Sequence, residues 1–380
     1  MNIKFNNMKN NMNNNINNYK KLNFYCKLNK YINLIKKFGY LSINNKINDI
    51  EVCVNVNNFN PDKIKFIKQI CNNCYCYESY CYDYVCYFIS KNNEYVLSYP
   101  DTNSRSIIFY DINNNNEIKK FNNAHNEDIY TIKYYNYDLY DLILSTSRNN
   151  DIKLWNYNEG INILTIQNIF SYNNPYVYSG CLIFNEKDFK IFCICYTNNY
   201  IKVYNSNGIF NKEFGNNNEY RTYIDSFIID NKKYLITGGD KGVHVFNYPE
   251  LNEYFCFNEN NDTNNHNYAK IIKRDIDYHL IDASFTNVIR IWNFFNKNLI
   301  TKINSRNQLY GFTIINDKYL FIGDNNNKLK LFDIETNIFI KEFPKHNNEV
   351  IGVKPIRDKN NNNYLITYSR DNKICLWGLE

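Results

Sequence analysis

Cysteines are the residues of this chain whose type and spacing come closest to a metal site. Cys71 and Cys74 form a CxxC pair, and Cys76, Cys81 and Cys86 follow them closely. Zinc is usually held by two well-spaced pairs of ligands, whereas here Cys81 and Cys86 are five residues apart and no histidine is near. Free cysteine is also a common small core residue. The spacing therefore favours structural or loop thiols, and we predict no metal site.

Glycines and histidines elsewhere are weaker candidates for chemistry. Residues 238–242 are glycine-rich like a phosphate-binding loop, but they lack its Gly-Lys-Ser/Thr ending, and a strand pattern at 243–246 follows instead of a helix. We interpret them as a hairpin turn and His244 as a packed or solvent-facing strand residue. His266 and His279 have no partner in sequence. Because metalloprotease, nucleophile-elbow and kinase motifs are missing, the sequence predicts neither a catalytic site nor a cofactor.

The elements that would position any site are indicated by a repeat. Seven short phrases alternate apolar and other residues with the period of a strand, and each ends on an aromatic anchor. The anchors are Tyr110, Trp155, Tyr204, Phe246, Trp292, Phe332 and Trp377. They are spaced 45, 49, 42, 46, 40 and 45 residues apart. Spacing this regular indicates seven copies of one structural unit.

Each copy reads as four strands. A short apolar run and a turn rich in Asn, Asp or Gly precede the anchor phrase, which is a hairpin signal. One further apolar stretch comes before that hairpin and another after the anchor. A unit with apolar residues on both faces must stack against its neighbours, and seven such units close into a ring. The predicted fold is therefore all-β, a seven-bladed β-propeller with four-stranded blades.

From these repeats the chain is identified as resembling the WD40-repeat family, over roughly residues 64–380. The family's Gly-His dipeptide is represented by Ala124-His125 and Lys345-His346. The resemblance implies a hydrogen-bonded tetrad in two blades. Its members would be His346, Thr367, Asp371 and Trp377 in the last repeat, and His125, Ser145, Asn149 and Trp155 in the second. The other five repeats depart from this pattern, so we expect their blades to rely more on apolar packing.

The resemblance also implies where partners bind and what the protein does. Positions beside the tetrad would face the top of the ring, and they are Asp128, Tyr130, Arg148, Glu349, Ile351 and Arg370. Propellers of this family usually bind other proteins, so the leading hypothesis is a noncatalytic scaffold or adaptor in a multiprotein complex. One alternative is a nucleic-acid-associated propeller in RNA processing or ribosome assembly. Another is an enzyme subunit whose catalytic centre lies on a partner.

The charge of the chain divides it in two. Residues 1–48 hold nine lysines and no acid, although the whole chain carries a formal charge of only +6. Residues 49–380 keep 35 basic against 38 acidic groups, a net of −3. We therefore expect a basic, Asn/Lys-rich arm at 1–48, largely disordered or a short helix, and a propeller at 49–380. The arm is either a solvated tail or a contact for nucleic acid, anionic lipid or an acidic partner.

The sequence also predicts how the ring is closed and where in the cell the protein is found. The chain ends after the third strand of its last repeat, so an N-terminal strand must supply the fourth; residues 64–70 are preferred over residues 74–80. We find no secretory signal and no apolar run long enough to span a membrane. Twelve cysteines without such a signal suggest free thiols in a cytoplasmic or nuclear, monomeric propeller.

Asparagine is abundant for a reason that we take to be mostly genomic. Asn, Lys, Ile, Tyr and Phe share A/T-rich codons and dominate the chain. Nucleotide bias explains this composition more simply than a prion-like function does. Asn also tolerates left-handed backbone better than any residue except Gly. We therefore predict that asparagines replace glycine in the turns of the blades.

Overall fold

The structure of the protein is a computed structural model. It describes residues 56, 59–71, 83–171, 176–185, 188–195, 200–215, 220–259, 266–274, 276–284 and 287–379. The basic arm expected at 1–48, the alternative closing strand at 74–80 and Cys74, Cys76 and Cys81 lie outside these ranges. The boundary between arm and propeller therefore stays a prediction.

The described residues form strands that pair into seven antiparallel sheets of four, which we call blades 1 to 7 in chain order. The first strand in the chain is β1 (Lys65–Cys71), which follows a 3-10 turn at Pro61–Lys63. Blades 1 to 3 contain β2 (Cys86–Ile89), β3 (Tyr95–Asp101), β4 (Ser106–Asp111), β5 (Asn116–Phe121), β6 (Ile129–Tyr137), β7 (Tyr140–Ser147), β8 (Asp151–Asn156), β9 (Ile161–Gln167), β10 (Val177–Phe184), β11 (Phe189–Cys195), β12 (Ile201–Asn205) and β13 (Phe210–Phe214).

Blades 4 to 7 continue the same order. Their strands are β14 (Arg221–Ile229), β15 (Lys232–Gly239), β16 (Gly242–Tyr248), β17 (Glu253–Phe257), β18 (His266–Arg274), β19 (Asp277–Ser284), β20 (Val288–Asn293), β21 (Leu299–Asn304), β22 (Leu309–Ile315), β23 (Tyr319–Asp324), β24 (Lys328–Asp333), β25 (Ile338–Pro344), β26 (Val350–Arg357), β27 (Asn363–Ser369) and β28 (Ile374–Gly378). The all-β, seven-bladed propeller with four-stranded blades is confirmed. Among the described residues, no helix has the length and apolar character needed to cross a membrane.

Blade 7 takes its outermost strand from the other end of the chain. The strand order of its sheet is β26-β27-β28-β1, and β1 runs antiparallel to β28 with Phe66 opposite Trp377. The structure thus places a closing strand one residue later than the expected 64–70. Just before it, Val56 donates its N–H to Asn316 Oδ1 (2.6 Å) and accepts from Asn316 Nδ2 (3.0 Å). Residues on both sides of the 3-10 turn therefore hold the ring closed.

A β-bulge recurs at the aromatic anchor and reproduces the sequence repeat in the backbone. In blades 1 to 6, the register between the third and fourth strands shifts directly before the anchor, as at Leu154/Trp155 and Val245/Phe246. The shift occurs whether the anchor is Trp, Tyr or Phe. The anchor's place in the sheet therefore depends on aromatic size rather than on an indole N–H, which is why the spacing predicted the fold in repeats that lack Trp.

Aromatic contacts join each blade to the one before it. Trp155 stacks on Phe121 of blade 1 at 5.1 Å between ring centroids, and Trp292 and Trp377 meet Phe257 and Phe343 of their preceding blades at 5.9 and 5.7 Å. The apolar core likewise lies between sheets, since one buried cluster draws on both blade 1 and blade 2. A single blade could not bury these faces alone, because such pairs stabilise only when both rings are present.

Asparagine occupies the tight turns. Twelve of the eighteen non-glycine residues with positive φ in the described ranges are Asn, for example Asn150 at 61° and Asn372 at 69°. Left-handed backbone is least unfavourable for Gly and then for Asn and Asp. The structure therefore confirms that Asn serves where glycine would be expected, as in the turns that begin β8 and β28.

The cysteine cluster is only partly described. Cys71, the last residue of β1, is disulfide-bonded, whereas Cys86, the first residue of β2, is a buried free thiol. The expectation of free thiols is therefore wrong at Cys71. Burial raises the pKa of the Cys86 thiol, because a thiolate is poorly solvated inside the protein. Cys86 is therefore a buried packing residue with a poorly reactive thiol.

Candidate interaction face

The tetrad of blade 7 is assembled from a loop, two strands and a turn. Trp377 Nε1 donates to Thr367 Oγ1 (2.9 Å), which bonds His346 Nε2 (2.8 Å), while His346 Nδ1 lies 3.1 Å from both oxygens of Asp371. Burial alone would raise the pKa of Asp371, but the hydrogen bond and charge of His346, with the hydrogen bonds from Asn347 and Ser369, together outweigh burial and lower the pKa. Every polar group of the set has a partner, as buried polar groups require.

The tetrad of blade 2 differs from the expectation in its acid. His125 Nδ1 bonds Asp151 Oδ1 (2.6 Å), His125 Nε2 bonds Ser145 Oγ (2.7 Å), and Trp155 Nε1 donates to Ser145 Oγ (2.9 Å). Asn149 is outside the set, and its side chain contacts Ser147. The acid stands two residues further on, at the first residue of β8, and a carboxylate is the better acceptor for an imidazole N–H. Burial lowers the pKa of His125 although Asp151 opposes this shift, which favours the neutral ring.

Replacing this acid tests the corrected assignment. We expect Asp151→Ala to lower the free energy of unfolding by roughly 1–3 kcal/mol, because the buried His125 Nδ1–H loses its acceptor. Asn149→Ala, the matched control two residues away, should change it by no more than about 0.5 kcal/mol. Urea unfolding of both variants measures the difference. Equal losses would contradict the assignment of Asp151.

Blades 4, 5 and 6 bury polar networks of their own. In blade 5, Trp292 Nε1 donates to Asp282 Oδ2 (2.7 Å), and Arg290 pairs with Asp282 at 3.3 Å. In blade 6, Lys330 pairs with Asp324 at 2.9 Å. In blade 4, Arg221 donates to the buried Thr237 Oγ1 at 2.6 Å. These pairs lie beside a buried apolar cluster that spans blades 4 to 6, so the expectation that these blades rely more on apolar packing stays a prediction. The cations of these networks do not stand at the position that His125 and His346 occupy in their repeats, so the family pattern did not indicate them.

Two sets of loops share one end of the ring, which we call the loop face. The loop before each innermost strand and the turn between the second and third strands lie at this end, because neighbouring strands are antiparallel. Arg148, in the turn after β7, lies 3.9 Å from Asp128 and 5.0 Å from the ring of Tyr176. Arg105, in the turn after β3, pairs with Glu127 at 3.4 Å.

These five residues form a continuous surface across blades 1 to 3, which we call the Arg–Tyr patch: Arg105, Glu127, Asp128, Arg148 and Tyr176. The side chains of Arg105, Glu127 and Arg148 are 46%, 44% and 41% exposed. Burial raises the pKa of Asp128 although Arg148 opposes it. The patch therefore presents both signs of charge beside an aromatic ring.

The structure separates the six residues that the sequence indicated for this face. Asp128 and Arg148 belong to the Arg–Tyr patch. Glu349 and Arg370 pair with each other at 3.1 Å on blade 7, with about a quarter of each side chain exposed. Tyr130 and Ile351 are buried, at 2% and 1% exposure, so neither offers a partner surface.

The two buried residues were misplaced because they follow the first residue of β6 and β26 and pack between blades. Tyr130, for example, stacks on Tyr178 at 5.1 Å between ring centroids. The sequence did not indicate Arg105, Glu127 or Tyr176 as surface residues. Only Arg105 could have been found, from the turn in which it lies. It lies in the same turn as Arg148 one blade earlier, where no tetrad marks it.

The central channel holds an ion cluster contributed by four blades, in which Asp225 is partly exposed and the other three members are largely buried. Lys133 of blade 2 pairs with Asp83 of blade 1 at 3.1 Å and with Asp225 of blade 4 at 3.3 Å, and Lys354 of blade 7 pairs with Asp83 at 3.1 Å. These side chains line a cavity of about 520 Å³. Sequence reasoning missed this cluster because its members are far apart in the chain and share no motif.

Comparison with known proteins gives one partial likeness. No family model matches the chain. Over 108 residues, 27% of the chain, it is 27% identical to a putative BTB/POZ domain and WD-repeat protein R783 of Acanthamoeba polyphaga mimivirus. The matched region spans about a fifth of that protein. Together with the seven blades and the two tetrads, the match supports a WD40-like β-propeller.

Proposed function

We propose that this protein is a noncatalytic scaffold that binds other proteins within a complex, and that the Arg–Tyr patch is where a partner binds. The observation that carries the proposal is the patch itself, in which exposed Arg148 lies over the ring of Tyr176 and exposed Arg105 pairs with Glu127 at the same end of the ring. Arg and Tyr are favoured at interfaces because they combine large contact area with directed donors.

The internal contacts of the patch suit it to binding. Arg148 is held by Asp128 and lies over the ring of Tyr176, and the backbone N–H of Arg148 donates to Asp128 O at 2.8 Å. A side chain that is already positioned loses less rotamer freedom when a partner covers it. The turn is fixed by the same hydrogen bond, so the surface is rigid before association. Adjacent positive and negative groups favour a partner that carries both signs of charge.

Charge reversal in the patch tests this function. We expect Arg105→Glu combined with Arg148→Glu to lose the proteins that the wild-type chain captures, because each new carboxylate would face Glu127 or Asp128. Lys232→Glu, at an exposed residue on the opposite end of blade 4, is the control and should keep them. The measurement is affinity purification with quantitative mass spectrometry, after equal melting temperatures are shown for all three chains.

A set of captured proteins that is the same for both variants would contradict the patch as the binding surface. The nucleic-acid alternative depends on residues 1–48, which lie outside the described ranges. Nuclease treatment before capture distinguishes this alternative from direct protein binding, because proteins bridged by nucleic acid would then be lost from every chain alike.

A further inference from the structure

The charged side chains of the central channel form one layer of its wall. Four of them are the fifth residue of the innermost strand of their blade: Lys133 on β6, Asp225 on β14, Lys270 on β18 and Lys354 on β26. Each of these strands has a register shift between its first and third residues, so the equivalent positions lie at one level of the ring. With Asp83, which pairs with two of the lysines, the layer holds three amines and two carboxylates.

Two of these lysines differ in how many acceptors the protein offers them. Lys133 Nζ contacts an oxygen of Asp83 (3.1 Å), an oxygen of Asp225 (3.3 Å) and the backbone carbonyl of Ile224 (2.7 Å). An ammonium group has three N–H donors, so Lys133 has none left for a ligand. Lys354 Nζ donates to Asp83 Oδ1 at 3.1 Å, and the rest of the described chain offers it no second acceptor. Lys354 therefore keeps two donors on the wall of the cavity.

The positive charge of the layer is concentrated where Lys270 and Lys354 meet. Burial, and then the charge of Lys354, lower the pKa of Lys270, so the two amines are close together in a poorly solvated place. Burial alone would also lower the pKa of Lys354, but Asp83, Tyr368 and Cys86 together raise it. A negative charge between Lys270 and Lys354 would relieve their repulsion and balance the third amine of the layer.

The cavity beside this layer has the size and the lining of a small-molecule site. Its volume of about 520 Å³ falls within the range of ligand pockets, about 300–1,000 Å³. Apolar side chains, including Phe88, Ile132 and Phe227, line it next to the amines. Ile89 and Asn136, near the ends of β2 and β6, also line it and are exposed. Solvent therefore reaches the cavity from the end of the ring opposite the loop face.

We propose that the channel binds one small organic anion, whose carboxylate or phosphate group lies between Lys354 and Lys270 and whose apolar part packs against the apolar wall of the cavity. The amines supply charge and directed donors, and the apolar wall shields those contacts from water. Asp83 and Asp225 limit the ligand, because they repel any anion with more charge than the layer can balance. The site lies in the channel and not on the Arg–Tyr patch, so it goes beyond the proposed scaffold role and is tested separately.

Isothermal titration calorimetry of the full-length chain tests the site with benzoate and phenyl phosphate, two probes that share an apolar ring and differ in their anionic group. We expect at least one of them to bind at one equivalent per chain. Benzyl alcohol, which has the ring without the charge, should bind at least about 10-fold more weakly, because it forms no charged hydrogen bond. Inorganic phosphate should bind more weakly than phenyl phosphate, because it leaves the apolar wall uncovered.

Two lysine variants assign the binding to the channel. Lys354→Met and Lys270→Met should each weaken binding of the preferred probe by about 10-fold or more, because each loses a charged hydrogen bond. Lys270→Met leaves both ion pairs of Asp83 in place, so it decides the question if Lys354→Met does not fold. Lys273→Met, at an exposed lysine three residues further along β18, is the matched control and should leave the affinity unchanged.

Three results would contradict this site. A wild-type chain that binds neither anion would overturn the proposal. Binding that survives both lysine variants would also overturn it, because the anion would then be held elsewhere, as on the basic arm at 1–48. Inorganic phosphate that binds as tightly as phenyl phosphate would overturn the assignment of an organic ligand, since the apolar wall would then contribute nothing.

Discussion

A chain that lacks residues 1–72 is expected to lose its cooperative thermal unfolding transition, whereas a chain that lacks residues 1–48 is expected to keep it. The first deletion removes β1 and leaves β28 as an unpaired edge in blade 7. A propeller avoids such an edge by closure, so the deletion opens the ring rather than shortening a tail.

The packing lost with β1 is comparable to the stability of the whole domain. Phe66 meets Trp377 at 5.8 Å between ring centroids, and Val56 and Ile64 are buried in the cluster between blades 6 and 7. Each such side chain contributes about 1.5–3 kcal/mol on full burial, and hydrogen bonds to β28 are lost as well. The loss is therefore roughly 5 kcal/mol or more, against a total stability of about 5–15 kcal/mol.

Circular dichroism during heating measures this difference. The 1–48 deletion is the matched control because it removes the basic arm while leaving Val56, the 3-10 turn and β1 in place. A second control adds a peptide of residues 54–72 to the truncated chain, which should restore part of the transition. A truncated chain that melts cooperatively at the wild-type temperature would show that β1 does not close the ring.

The sequence predicted the fold better than the site because the two rest on different amounts of evidence. Seven aromatic anchors specify the propeller, and in blades 1 to 6 a bulge accompanies the ring, so Tyr204 and Phe246 serve as well as Trp155. A site residue rests on a single turn. In blade 2, the acid of the tetrad lies two positions beyond the expected Asn149, and one such displacement changes the assignment.

The rest of the site could not be predicted because it depends on contacts between blades. Lys133 and Asp225 meet across the channel although 92 residues separate them, and no periodic pattern links them. Tyr130 was expected at the surface from its distance to His125. Its side chain instead stacks on Tyr178 of the next blade, which is a property of how blades pack and not of either repeat alone.

Removing one charge from the ion cluster of the channel is expected to cause the second large loss of stability. We expect Asp83→Asn to lower the free energy of unfolding by about 3–5 kcal/mol, because Lys133 and Lys354 would lose the carboxylate they share in a buried site. Asp188→Asn is the matched control: Asp188 pairs with Lys190 at 3.5 Å, but both side chains are partly exposed. That surface pair should contribute no more than about 1 kcal/mol.

The pH dependence of this loss identifies charge as its cause. Burial alone would raise the pKa of Asp83, but Lys133 and Lys354 outweigh burial and the pKa is lowered. A carboxyl whose pKa is lower in the folded state stabilises the protein above its unfolded pKa of about 3.9. That stabilisation is lost as the pH falls through the folded pKa, so the gap between wild type and Asp83→Asn should be full at pH 7 and narrow progressively below about pH 5.

Urea unfolding at a series of pH values, with the control variant measured alongside, tests both parts. If Asp83→Asn destabilises no more than Asp188→Asn at pH 7, the cluster does not hold the four blades together. If the loss is large but constant down to acid pH, the side chain acts through shape and hydrogen bonding instead of charge. A large loss that narrows with falling pH is the result expected of a carboxylate that ties the neighbouring blades 1, 2 and 7 together through its two lysines.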